Sequence, residues 1–166
     1  MRYLENDCAI IFRTKDRFGI GSNMSLHPIK YKGIKFSSTE ALYQCARFTD
    51  IPKPLLKLHK LSPMDGKKIS RPYLNQTRPD WGSYRIKVME TCLRLKLLQH
   101  SHAVLSFLDD TGDMPIVEKS YRDDFWGAIP DGKFLVGENI LGTLWMIIRE
   151  EVRNDDVQDY DEIEID

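Results

Sequence analysis

Phe36-Ser-Ser-Thr-Glu-Ala-Leu-Tyr-Gln-Cys-Ala-Arg-Phe48 runs the end of a short strand straight into a helix whose first turn carries one acid, Glu40. Ser37 stands three residues before that acid. This is the capping-box spacing, in which the serine oxygen takes the N3 amide and the carboxylate reaches back to the N-cap amide. A capping box alone accounts for the glutamate. The helix is predicted to continue to about Thr49 with Leu42, Cys45, Ala46 and Thr49 inward, until Ile51-Pro-Lys-Pro54 breaks it.

Toward the N-terminus, residues 27–36 read as two short strands about Lys32-Gly33, with Ile29, Tyr31, Ile34 and Phe36 as inward positions. Residues 8–12 form an apolar run suited to a buried strand. Between them Phe18-Gly-Ile-Gly-Ser-Asn23 is a glycine-punctuated loop, either an ordinary turn or a place where backbone amides approach a ligand.

Toward the C-terminus a short helix is expected over residues 55–60. Ser62 with Pro63 at the first helical position then starts another, through Ile69. The longest element runs from about Asp80 to Gln99, with Trp81, Tyr84, Val88, Cys92 and Leu95 in one stripe widened by Met89, Leu93 and Leu97. Ser101 caps a helix to about Asp109. Strands are expected at 114–118 and 133–136, and an amphipathic helix over 139–153 with Ile140, Leu144, Ile147 and Ile148 buried. The sum is a compact, helix-rich α+β domain over residues 1–153, with a small sheet drawn from both ends.

The chain has 166 residues, enough for one domain with a real core. It holds no eighteen-residue apolar run and no apolar signal core after Met1, so a cytoplasmic setting is expected. Cys8, Cys45 and Cys92 are odd in number, far apart and set among apolar neighbours, which suits reduced, packed thiols. The net charge of −1 hides an asymmetry. Residues 154–166 carry seven acids and no base, leaving 18 acids against 24 bases, about +6, on residues 1–153. The acidic tail is expected to be disordered or loosely docked. The basic body suits an anionic ligand such as a phosphate, a diphosphate or a nucleic acid, or is solvated surface lysine.

No C-x-x-C, H-E-x-x-H, EF-hand loop, Walker loop or G-x-S-x-G elbow occurs, and the four histidines do not cluster. Neither a metal site, a resident cofactor nor a nucleophile triad is indicated. What remains is acids and aromatics. Glu118-Lys-Ser-Tyr-Arg-Asp-Asp-Phe-Trp-Gly127 sets Asp123 and Asp124 before Trp126 on a loop leaving a strand. There Trp126 is either a core plug or a site residue, and the aspartates are either solvated caps or part of a site. Arg78-Pro-Asp-Trp81 and Arg85 bring cations and an aromatic to a helix N-terminus, where anions bind well. Such parts suit cleavage of an N-glycosidic bond. A carboxylate beside the anomeric carbon stabilises the oxocarbenium-like transition state or takes the proton of the attacking water. Tryptophan faces sandwich a base, and guanidinium groups hold phosphates.

Six blocks in order resemble the NADAR (YbiA-like) family of N-glycosidases. They are Phe18-x-x-x-Ser22-Asn23; Thr39-Glu40-x-x-Tyr43-Gln44-x-x-Arg47-Phe48; Ser62-Pro63-Met64; Trp81-x-x-x-Arg85-x-x-Val88-Met89; Ile116-Val117-Glu118-x-Ser120-x-x-Asp123-x-x-Trp126-Gly127; and Gly137-x-Asn139-x-Leu141-Gly142-x-x-x-Met146-x-x-Arg149. The resemblance implies a helix-rich α+β fold and metal-free hydrolysis of N-glycosides. Two substrate types go with it: ADP-ribose on guanine, free or in nucleic acid, and a phosphoribosylamino-pyrimidine intermediate of riboflavin synthesis.

By the same resemblance Glu40, Asp123 and Trp126 carry catalysis. Ser22, Asn23, Tyr43, Arg47, Trp81, Arg85, Ser120 and Asn139 bind substrate. Arg47 stands where many members have lysine, residues 128–133 are less glycine-rich than the family form, and the tail matches no family motif. A pocket that binds a nucleotide without cleaving it, and signals to a partner, is the alternative from another class. Glu40 cannot serve cap and pocket together, so the family reading expects it to turn away from the cap, towards Trp126 and Asp123, with Ser37 or Ser38 capping alone.

Overall fold

The computed structural model describes residues 1–165, with helices and small sheets in two contact units. One unit is Met1–Ser22 with Ser101–Gln158; the other is Asn23–His100 with the tail from Asp159 onward.

In the first unit three strands form an antiparallel sheet in the order β1 (Arg2–Leu4), β7 (Phe134–Val136), β6 (Ile129–Asp131). Sequence patterning does not reveal β1 and β6, because Arg-Tyr-Leu and Ile-Pro-Asp carry no apolar run that marks a strand. A second pair, β2 (Ala9–Ile11) and β5 (Ile116–Glu118), is parallel, with Ala9 opposite Ile116. Two helices complete the unit, α4 (Ser101–Asp110) and α5 (Ile140–Arg153). On α5 the buried stripe is Leu141, Leu144, Trp145 and Ile148. Ile147, expected inside, is 46% exposed, and Ile140 is only half-buried. The stripe turns toward Trp145, whose Nε1 donates to the Gly21 carbonyl at 2.8 Å. Arg149 on the same helix is also buried, donating to Thr111 Oγ1 and the Met114 carbonyl.

The glycine-punctuated loop forms a tight turn at Gly19–Gly21. A side chain at Gly19 would run into the Arg13 and Thr14 carbonyls, and one at Gly21 into Ile11 and Phe107. Close packing explains both glycines without a ligand.

In the second unit β3 (Ile29–Tyr31) and β4 (Ile34–Phe36) pair about a two-residue turn, with Lys32 and Gly33 at φ 46° and 79°. Both central residues are left-handed, the preference of a tight hairpin. Ile29, Tyr31 and Phe36 are buried as expected, but Ile34 is 39% exposed. The deciding helix, α1, is Thr39–Ala46, shorter than expected, and all eight residues are buried. The expected 55–60 helix is two single 3-10 turns, Lys53–Leu55 and Leu58–Lys60. Helix α2 (Pro63–Ser70) begins as read, with Ser62 Oγ accepting the Asp65 amide at 3.2 Å. Helix α3 (Trp81–Gln99) buries Trp81, Val88, Met89, Cys92, Leu93, Leu95 and Leu97.

The acidic tail is docked, contrary to the loose end expected. Ile163 is buried, its amide donates to Tyr31 Oη at 2.8 Å, and Lys32 Nζ reaches its carbonyl at 2.9 Å. Thr91 Oγ1 donates to the Asp161 carbonyl, and the Glu164 amide to Tyr84 Oη. A buried isoleucine and four backbone anchors outweigh the charge that makes the segment look unstructured. Among the described residues no helix is long and apolar enough to cross a membrane.

Candidate active site

Ser38, not Ser37, caps α1: its Oγ accepts the Ala41 amide at 3.1 Å. Ser37 turns the other way and donates its hydroxyl to the Leu61 carbonyl. The capping box therefore does not form, and Glu40 is released from it. The Glu40 amide donates instead to the Asn23 carbonyl at 3.1 Å.

The freed carboxylate is 4% exposed and is gripped at both oxygens. Asn23 Nδ2 donates to Oε2 at 2.8 Å, and Gln44 Nε2, one turn along α1, donates to Oε1 at 2.7 Å. Ser70 Oγ of α2 lies 3.2 Å from Gln44 Oε1, with the Gly66 carbonyl as the nearer acceptor of its one proton at 2.8 Å. Asn23 is held by Thr39 Oγ1, which donates to its carbonyl at 3.1 Å. Lys67 Nζ lies 3.9 Å from Oε1 on a half-exposed side chain, where solvent screens the pair.

A carboxylate offers about four lone-pair sites, so each Glu40 oxygen keeps one after its amide bond. Both gripping side chains present N–H groups and nothing to accept a proton. The arrangement holds a carboxylate in a fixed plane as an acceptor. Asn23 Oδ1 is buried with no hydrogen-bond partner among the described residues, so the amide has a second, unused face.

The thiols beside this group are not nucleophiles. Burial pushes Cys45 up to about 12. Burial first and the Glu40 charge second push Cys92 higher still. Neither yields thiolate near neutrality.

Tyr43 and Trp81 meet in the second unit, ring centroids 4.9 Å apart, and the Arg47 guanidinium lies 5.4 Å from the Trp81 ring and 5.9 Å from Tyr43. Both aromatic rings are buried, and Arg47 Nε is buried with no partner among the described residues. The Arg47 carbonyl takes the Arg78 amide at 3.0 Å. Arg78 is engaged by Asp80 and by Glu164 of the tail, at 2.6 and 3.2 Å. Arg85 is half-buried one turn beyond Trp81. An apolar cavity of about 200 Å³ in this unit is lined by Ile34, Phe36, Cys45, Ile51, Leu56, His59 and Ile165, and none of these is an expected site residue.

In the first unit, Asp123 Oδ1 caps its own loop, accepting the Phe125 amide at 3.1 Å and the Trp126 amide at 2.8 Å. Ser120 Oγ in turn accepts the Asp123 amide at 3.0 Å. Asp123 is exposed and keeps its second carboxylate oxygen outside these bonds. Trp126 is half-buried, with Phe125 edge-on at 5.0 Å, and is not a core plug. Ser22 is buried at the end of the glycine turn. Asn139 has a structural task. It is fully buried at φ 53°, its Oδ1 accepts the Glu118 amide, and its Nδ2 donates to the Ile116 carbonyl.

Gln44 escaped the candidate residues although the spacing marks it, since residues four apart share a helix face. The Asn23 contact has no local signal, because seventeen residues separate it from Glu40. Lys96 and Ser25, buried on α3 and beside Asn23, show no periodicity that distinguishes them.

The NADAR domain family matches residues 11–153. The chain is 31% identical over 142 residues to a riboflavin biosynthesis protein of Vibrio vulnificus, covering 86% of this chain but only 38% of that longer protein. It is 32% identical over 142 residues to the N-glycosidase YbiA of Escherichia coli, covering 85% of this chain and 86% of YbiA. The NMR structure of E. coli YbiA superposes with a TM-score of 0.74 at 31% identity, over 89% of this chain and 86% of that one. With the family match over most of its length and YbiA matched almost end to end, this chain belongs to the NADAR domain family and is an N-glycosidase.

Proposed function

We propose that this chain hydrolyses a ribosyl N-glycosidic bond with Glu40 as the working carboxylate, releasing ADP-ribose from an ADP-ribosylated guanine base or nucleic acid. The observation that carries the reading is the two-point amide grip on a buried acid, Asn23 on one oxygen and Gln44 on the other. Burying an acid is costly unless its oxygens are hydrogen-bonded; here two amide donors meet that cost and leave a lone pair on each oxygen for a reacting group. Held so, it stabilises positive charge at the anomeric carbon and accepts a proton from the attacking water as the C–N bond breaks. The base leaves with a proton on its nitrogen, and the water oxygen remains on the sugar.

Family motif positions supply the remaining roles. Asn23, Tyr43, Arg47, Trp81 and Arg85, all within the unit that carries Glu40, hold the ligand. Asn139 enters this reading only as a support of the fold. The free Oδ1 of Asn23 suits a sugar hydroxyl, and the Arg47–Trp81 stack suits a phosphate beside a base.

The ADP-ribosyl substrate stands first because the basic excess on residues 1–153 suits a diphosphate or a nucleic acid. The second reading, a phosphoribosylamino-pyrimidine, is favoured by the name of the Vibrio vulnificus relative. Incubation with ADP-ribosylated guanosine, ADP-ribosylated DNA and the phosphoribosylamino-pyrimidine, with mass detection of the released base and sugar, separates them. Release of ADP-ribose supports the first, release of ribose 5-phosphate the second. Ligand binding with no release from any of the three contradicts both in favour of a nucleotide sensor.

A further inference from the structure

Lys96 lies near the C-terminal end of α3 with no exposed surface, and its Nζ donates to Ser25 Oγ at 2.8 Å. One turn earlier on the same helix face, Cys92 Sγ reaches the Thr39 carbonyl at 3.5 Å. These two contacts fall on either side of Asn23. Thr39 starts α1 and donates its hydroxyl to the Asn23 carbonyl; Ser25 follows Asn23 by two residues. Asn23 itself takes the Glu40 amide on its carbonyl and donates to Glu40 Oε2. The loop that grips the acid is thus tied to α1 at Asn23 and to α3 at Ser25, with His27 Nδ1 at 3.1 Å from the same Ser25 oxygen.

Taking an amine fully out of water costs several kcal/mol, and replacing a buried charged group by an apolar side chain of similar shape is often neutral or stabilising. Burial, opposed in part by Cys92, pushes the Lys96 ammonium down to about 7. A methionine would fill the same space without that cost, so stability does not explain a lysine here.

We propose that Lys96 is a positioning residue for the reaction: through Ser25 it fixes the loop that carries Asn23, and with it the plane of the Glu40 carboxylate. This rests on Glu40 being the working carboxylate. A wild type that cleaves while Glu40→Gln does not secures that footing independently.

The test is steady-state kinetics on the full chain, with whichever of the three substrates the wild type cleaves, beside thermal melts. Lys96→Met is expected to lose about tenfold or more in kcat, with KM within about threefold and a Tm equal to or above wild type. Ser25→Ala is expected to lose kcat likewise. The double variant should be no worse than the poorer single one, because both break one link. A lysine that only supports the fold gives the reverse: a lower Tm and kcat per folded molecule unchanged. Lys96→Met with kcat within about twofold of wild type overturns the proposal, as do losses that multiply in the double variant. If Lys96→Met does not fold, Ser25→Ala decides: a tenfold fall at constant KM supports the link, and unchanged kcat refutes it.

Discussion

Asn23 holds Glu40 twice, taking its backbone amide on a carbonyl at 3.1 Å and giving its side-chain amide to Oε2 at 2.8 Å. The acid on the first turn of α1 is therefore fixed by a loop seventeen residues upstream, not by its own helix cap.

Asn23→Ala removes a donor from the carboxylate and also the buried Oδ1 that has no partner of its own. Kinetics should show kcat falling about ten- to a hundredfold, the scale of a small misplacement of a catalytic group, together with a rise in KM. Gln44→Leu removes only a donor and should lower kcat with KM unchanged. Identical effects of the two substitutions on KM would remove the ligand role of Asn23.

Gln44→Glu is isosteric but sets a second carboxylate against Glu40 Oε1. Two carboxylates at hydrogen-bond distance share one proton, and the protonated partner regains the missing donor. The variant should be weak at pH 8 and recover as pH falls toward 5, which the Gln44→Leu variant should not do. A pH–rate profile superposable on wild type would mean that the Gln44 contact does not matter to turnover.

Lys96 makes stability depend on pH. Its folded pKa, about 7, lies below the 10.5 of an unfolded lysine. Between those values the unfolded chain holds the proton and the folded chain does not, so stability rises with pH. The burial that holds His27 below its usual value acts in the same direction at lower pH. Above pH 9 the raised thiols of Cys45 and Cys92 oppose it, since the folded form then keeps protons that the unfolded form loses. Thermal melts from pH 7 to 8.5 should show Tm rising by several degrees, as one group contributes up to about 1.4 kcal/mol per pH unit. Lys96→Met should flatten that rise.

The order of the elements was legible wherever chemistry was local. The caps at Ser62 and the hairpin at Lys32-Gly33, and the long stripe of α3, follow from spacing and turn residues alone. The failures share a cause. Ser37 and Ser38 are both plausible caps, and only the carbonyl of Leu61, drawing Ser37 away, decides between them. The α5 stripe differs from the expected one because Trp145 takes the core-facing position and rotates Ile147 outward. Glu40 could be singled out from its motif, but its grip by Asn23, the Lys96–Ser25 link and the docking of Ile163 are contacts between distant segments, which no local pattern encodes.

The tail offers an independent check of that last contact. Ile163→Ala empties a buried site on the second unit and should cost about 2–4 kcal/mol, read as a Tm lower by several degrees. An unchanged Tm would mean that the segment does not dock.

The central claim is that Glu40 works on the substrate and does not merely anchor the loop at Asn23. Glu40→Gln keeps the shape, turns one acceptor oxygen into an N–H2 that faces a donor, and should cost about 1–3 kcal/mol of stability. The most direct measurement is the single-turnover rate of base release by Glu40→Gln, on protein shown to be folded by its melt. The account predicts a rate lower by about a thousandfold or more, the scale of losing a group that acts in the transition state, with ligand affinity near wild type. A folded Glu40→Gln protein that releases base at the wild-type rate would contradict it.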